Sequence, residues 1–158
     1  LNHIKVIGEL GYVDGKLQYP SDLDVDENGN IYVADFFNNY VVKFSNEGEV
    51  LLQIGEEGTE EGKFNGPSGI AVSKSGLIYV SDQLNSRIQV FDKDGKFVRS
   101  IKSSDLPNPE GLTFDEEDNL WVVEAKNCKS LNLIQMEILY FRLVEKVEKR
   151  INLFTHLM

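Results

Sequence analysis

Three acids stand at fixed spacing. Asp35 and Asp82 lie 47 residues apart, and Glu124 follows 42 residues after Asp82. Each closes an apolar strand-like run, and each is followed three residues later by an asparagine: Asn38, Asn85 and Asn127. Three carboxylates brought to one face could hold a hard cation through oxygen ligands. Other chemistry is thinly supplied. The two histidines, His3 and His156, lie at the edges of the chain, whereas a zinc site draws several such ligands together. Ser68, Ser73 and Ser81 have no histidine nearby in sequence, so a nucleophilic triad is unsupported. No catalytic residue, metal set or cofactor is expected. The run Glu56-Glu57-Gly58-Thr59-Glu60-Glu61 reads as a solvated loop that could attract a basic partner or, weakly, a divalent cation.

The spacing of the acids belongs to a larger pattern. Residues 62–98 repeat residues 15–51 at a constant offset of 47. Pro20 recurs as Pro67, Gly29 as Gly76, Ile31-Tyr32-Val33 as Ile78-Tyr79-Val80, and Phe44 as Phe91. Ile7-Gly8 matches Ile54-Gly55, so the pattern opens inside the last strand of a preceding unit. Pro109, Gly111 and Leu120-Trp121-Val122 continue it at an offset of 42, and it stops after Cys128. A fixed period of this length marks a repeat architecture.

Each unit predicts four short strands. They fall at 22–26, 30–35, 40–44 and 49–54 in the first unit, and at 69–73, 77–82, 87–91 and 96–101 in the second. The turns between them carry Asn28-Gly29, Asn46-Glu47-Gly48, Lys74-Ser75-Gly76 and Asp94-Gly95, which tolerate positive φ. No helical period is expected before residue 129. Four antiparallel strands per unit of about 40–50 residues make the blade of a β-propeller. The inner strands are apolar on both faces, as a sheet packed between two others requires.

The residues GKFNGPSGIAVSKSGLIYVSDQLNSRIQVFDKDGKF at 62–97 resemble the NHL repeat, and the likeness extends from residue 3 to about 128. The resemblance implies an all-β, partial β-propeller of four-stranded NHL-type blades, of the six-bladed, TolB-like kind. The blades would occupy about 15–61, 62–106 and an incomplete 107–128, followed by a divergent tail at 129–158. It also implies that Asp35, Asp82 and Glu124 cap the turns after their strands, helped by Asn38, Asn85 and Asn127, rather than bind metal. Similar proteins bind proteins, peptides or RNA, and some relatives are metal-dependent lyases or lactonases. Asn119-Leu120-Trp121 is similar to the repeats of streptogramin lyases, whose catalysis needs a histidine that these strands lack.

Candidate binding residues lie in the loops, which vary while strands carry the fold. Phe36, Phe37 and Tyr40 are candidates in the first unit, and Leu84 and Arg87, beside Gln83, are candidates at the equivalent positions of the second. Adjacent phenylalanines in a short loop are costly to expose and typical of interface anchors. The alternative is that one ring tucks between blades and the other covers the channel mouth. Tyr19 and Asn65, just before the two prolines, would line the same face.

Net charge is −10 and uneven: residues 1–128 hold 11 Lys and Arg against 23 Asp and Glu. Such an acidic segment repels phosphate, so nucleic acid is not expected as a partner. A single cysteine, Cys128, forms no intrachain disulfide, which favours a reducing compartment without excluding a secreted one. No signal peptide or transmembrane run appears in these residues, although the repeat opens mid-unit and a targeting segment could lie outside them.

The tail predicts an amphipathic helix, with residues 131–138 alternatively supplying a third strand to the last blade; an end foreign to the fold is the other reading. A strand at residues 3–8, donated to the last blade of a second copy, would close a two-fold propeller; an open fragment is the alternative. The expected function is a non-catalytic module that binds a protein or peptide through one propeller face. The alternative is a fragment of a propeller enzyme with its catalytic residues in other blades, with RNA binding a third possibility.

Overall fold

A computed structural model describes residues 5–11 and 15–125. Ten strands in these residues form three antiparallel sheets. Blade 1 is β1 (Pro20–Val25), β2 (Ile31–Asp35), β3 (Tyr40–Phe44) and β4 (Val50–Ile54), in that spatial order. Blade 2 is β5 (Pro67–Val72), β6 (Ile78–Asp82), β7 (Arg87–Phe91) and β8 (Phe97–Ile101). Blade 3 shows β9 (Pro109–Phe114) and β10 (Leu120–Glu124). The fold is therefore all-β, a partial β-propeller of four-stranded blades. The tail, with its expected helix or third strand, lies outside the described residues, as do Asn127, Cys128 and both histidines.

Two expectations need correction. The inner strands begin at Pro20 and Pro67, two residues earlier than the sequence suggests, with a register shift directly after each proline. Proline lacks an N–H and is tolerated at a strand's first residue. Residues 5–8, the described part of the strand expected at 3–8, are not one. Their ladder partner would be the third strand of a preceding unit, which these residues do not contain. Leu10 instead makes a parallel bridge to Leu17. A three-residue 3₁₀ turn, Gln83–Asn85, was also not anticipated; it links β6 to β7 and ends in Ser86 at φ 52°.

Side chains of the blades interleave in three apolar layers. Between blades 1 and 2 lie Tyr32, Ala34, Val41, Ile54, Phe64, Ile70, Val80 and Phe91. Between blades 2 and 3 lie Tyr79, Ile88, Val90, Leu106, Leu112 and Val122. On the outer face of blade 1, Val33, Val42 and Phe44 are covered by Ile7 and Leu17. Each large ring or branched chain so buried contributes about 1.5–3 kcal/mol.

The inner strands are joined by different stitches at the two seams. On β1, Asp22 accepts the Ile70 N–H at 3.0 Å and Asp24 accepts the Val72 N–H at 2.7 Å, both from β5. At the next seam β5 carries Gly69, where a Cβ would fall 2.0 Å from the Glu110 carbonyl oxygen of β9. Glycine is required there because two backbones touch. Ser21 donates to the Pro67 carbonyl and Ser68 to that of Pro109, at 3.0 and 3.3 Å. Among the described residues no helix is long and apolar enough to cross a membrane.

Candidate functional site

The ends of β2 and β6 gather the acids and the loops on one face. Asp35 is fully buried and accepts four hydrogen bonds: from the Gln18 and Tyr19 N–H groups at 2.6 and 2.9 Å, and from the Asn38 N–H and side-chain amide at 3.3 and 3.0 Å. Asp82, equally buried, accepts from the Asn65 N–H at 2.7 Å, the Asn85 amide, the Gln89 amide at 3.0 Å and Arg87 Nε at 2.6 Å. The backbone donor to Asp82, Asn65, lies in the connection entering the blade, and the turn after the strand contributes the Asn85 side chain. Both carboxylates thus fasten the inter-blade connection to the strand. Their lone pairs are taken by N–H donors, which is incompatible with a cation between them. Glu124 is also buried, opposite Pro109 in the ladder. Among the described residues no three His, Cys, Asp or Glu side chains gather as a metal cage.

Arg87 is not a surface residue. It is 2 % exposed, paired to Asp82, and its second nitrogen donates to the Glu60 and Lys63 carbonyls at 2.8 Å each. Tyr40 is likewise buried, with its hydroxyl donating to the Lys16 carbonyl. Both residues open a third strand and point beneath the loop, so the neighbouring loop positions alone can meet a partner. Asn65 is half-buried, its N–H on Asp82 and its carbonyl accepting from Leu84 at 3.0 Å.

The remaining candidates do come together. Tyr19, Phe36 and Phe37 form a three-ring cluster with centroids 5.0–6.2 Å apart. Phe37 is 57 % and Tyr19 54 % exposed, and Phe36 is half-buried. The Phe36 ring lies over Gly66, as does Leu84 from the 3₁₀ turn: a Cβ on Gly66 would fall 2.8 Å from the ring and 3.1 Å from Leu84. Asn39, left-handed at φ 57°, accepts the Gly66 N–H at 2.8 Å and so pins the loop across the seam. Neither of the two alternatives for the paired rings fits whole. Phe36 lies across a seam and Phe37 stands in solvent.

The rings border a depression of about 390 Å³, lined also by Pro20, Ser68, Gln83 and Glu110. Its lining is mixed: three aromatic rings and Pro20 on one hand, and Ser21, Ser68, Gln83 and the exposed Glu110 carboxylate on the other. The acidic loop at 56–61 is partly self-neutralised, since Lys63 pairs with Glu56 at 3.1 Å and Glu60 at 3.9 Å. The Glu56 hydrogen bond and charge, with Glu60 behind them, push the Lys63 ammonium above its ordinary range.

A second cluster escaped the sequence reading. In the β1–β2 turn, Asp26 accepts the Asn28 and Asn30 N–H groups at 2.9 Å, the Asn30 amide at 2.8 Å and the Tyr32 hydroxyl at 3.1 Å. Asp115, Asn119 and Trp121 repeat it in blade 3. Burial acts to raise the Asp26 pKa and is outweighed by the donors from Asn30, Asn28 and Tyr32, so it falls below the usual carboxylate range. The signal was present as Asp-x₃-Asn-x-aromatic in both units, and blade 2, which has Ser73 and Leu77 there, hid it.

The NHL repeat family matches at residues 17–44 and 64–91. Among solved structures, the nidogen/laminin complex aligns over 74 % of this chain and 44 % of its own, with TM-score 0.61 and 22 % identity. Hydrazine synthase of Kuenenia stuttgartiensis aligns over 73 % of this chain and 33 % of its own, with TM-score 0.59 and 17 % identity. Virginiamycin B lyase from Staphylococcus aureus aligns over 75 % and 41 %, with TM-score 0.53 and 16 % identity. The chain thus spans a third to less than half of each, and at such identities the likeness shows the fold alone. No curated protein sequence matches the chain.

Proposed function

We propose that this chain, a partial β-propeller with two NHL repeats, is a non-catalytic module that binds a protein or peptide through its loops. The binding face is the one that carries Tyr19, Phe36, Phe37 and Leu84. The observation that carries this reading is the three-ring cluster beside an open depression, with two of its rings more than half exposed. Rigid aromatic rings give large contact area at low entropic cost and dominate binding energies at interfaces. A chain of the nidogen/laminin complex shares the fold, so the fold is one that occurs in a protein–protein complex. The acids Asp35, Asp82 and Glu124 serve as structural fasteners in this reading.

The net charge of −10 and Glu110 at the rim favour a ligand with an apolar anchor flanked by Lys or Arg. Selection from a displayed random-peptide library on the immobilised chain tests this. Enriched peptides should carry that pattern and should bind Phe37→Ser at least about tenfold more weakly, a loss of about 1.4 kcal/mol, with its melting temperature unchanged. No enrichment, or equal binding by the variant, overturns the reading.

A further inference from the structure

On the reading of the ring-bearing face as a binding surface, we propose that it takes an arginine side chain. The guanidinium stacks on the exposed rings of Tyr19 and Phe37 and pairs with the Glu110 carboxylate of the same depression.

The repeat shows that the rings are not needed to build the fold. Tyr19, Phe36 and Phe37 correspond, at the offset of 47, to Gly66, Gln83 and Leu84. Blade 2 closes the same connection without a ring. Its Gln83 N–H donates to the Gly66 carbonyl at 3.2 Å, as the Phe36 N–H donates to that of Tyr19 at 3.0 Å. The backbone is satisfied alike in both blades, and the three rings are an addition to blade 1. Glu110 departs from the repeat in a similar way. Its equivalents are Ser21 and Ser68, whose hydroxyls donate to carbonyls of the next blade: Ser21 to Pro67 at 3.0 Å and Ser68 to Pro109 at 3.3 Å. An ionised carboxylate has no proton to donate, and Glu110 lines the depression with its side chain exposed. The departures of blades 1 and 3 thus meet in one place, three rings and one acid.

The chemistry of that lining selects a cation. Ring faces carry negative potential and the carboxylate a full charge. No Lys or Arg lines the depression, and among the described residues no cation pairs with Glu110. The ring geometry then decides between cations. Phe36 meets Tyr19 and Phe37 edge to face, at interplanar angles of 72° and 76°, and the centroids lie 5.0–6.2 Å apart. The rings pack on one another rather than around a shared centre, so a methylated ammonium finds no cage between them. What they offer is an outer platform, with Tyr19 54 % and Phe37 57 % exposed. A planar guanidinium stacks on such a platform and keeps its N–H edge for a carboxylate, which the compact ammonium of lysine does not do. Its five donors also need acceptors, and the Ser21 and Ser68 hydroxyl oxygens and the Gln83 amide line the same depression.

Titration of the full chain with N-acetylarginine N-methylamide, followed by NMR at the Tyr19, Phe37 and Glu110 resonances, tests this. The arginine amide should shift them saturably, and N-acetyllysine N-methylamide should bind at least about threefold more weakly. Glu110→Gln and Phe37→Ser, each with the far-UV spectrum retained, should weaken the arginine amide about threefold or more. The absence of a saturable shift, an equal response to the lysine amide, or variants that bind as the wild type does would each overturn the proposal. Its failure is separable from that of the binding module. Library peptides enriched while the arginine amide leaves these resonances unmoved would keep the module and sink the arginine site. An arginine amide that binds as expected with no peptide enriched would do the reverse.

Discussion

Asp35 and Asp82 hold the same place in successive blades, yet their removal should have different consequences. Asp35→Ala leaves neutral N–H donors unpaired and should cost about 1–3 kcal/mol. Asp82→Ala also strands the Arg87 guanidinium, 2 % exposed, and should cost about 3–5 kcal/mol. Adding Arg87→Met to Asp82→Leu should recover part of that loss, and urea unfolding of the four proteins checks the order. Asp26 predicts a pH dependence. Its folded pKa lies below the unfolded value of about 3.9, so its contribution is complete above about pH 4 and is lost as the pH falls through the folded value. Tyr32 moves the other way: burial first, then the Asp26 charge and hydrogen bond, raise its pKa. Its contribution is therefore present below about pH 10 and is lost above it. Melting curves from pH 2 to 6 should show Asp26→Asn less acid-sensitive than the wild type.

At the scale of the strand, the two middle strands of each blade were legible because apolar runs recur at one offset between glycine and asparagine turns. The starts of β1 and β5 were not, because the register shift after Pro20 and Pro67 changes pairing without changing composition. Arg87 was misread for a related reason. A cation beside a loop suggests solvent, but its position opens β7, and Asp82 with two carbonyls compensates it inside. The ring cluster was legible in part. Phe36 and Phe37 announce themselves as adjacent rings, while their meeting with Tyr19 and Leu84 depends on how two loops fold over Gly66. The seam between β5 and β9 gives the sharpest test at this scale. Gly69→Ala drives a methyl into a carbonyl oxygen and should destabilise by about 1–3 kcal/mol or more. Calorimetry should find it far less stable than Gly111→Ala, although both change the same repeat position, because a Cβ on Gly111 would meet only the Val123 side chain, at 3.5 Å.

At the scale of the whole chain, the acidic surplus sets which partners approach. Single-stranded oligonucleotides should show no salt-sensitive binding in fluorescence polarisation at low and physiological ionic strength, and tight binding that falls with salt would refute this expectation. A basic peptide ligand should associate more slowly as salt rises, because steering of that kind is screened. The unlike stitches of the two seams bear also on how such a chain can change over generations. Units repeated at a fixed 47-residue offset can be lost one at a time, which fuses their neighbours in register. A fusion that carried Asp22 forward against β9 would set a carboxylate side chain where Gly69 leaves no room for a single carbon. One that exchanged strands ahead of that point would keep glycine against β9 and lose nothing at that seam. The inner strands thus restrict which shortened descendants can fold, even though the repeats look interchangeable when read as text.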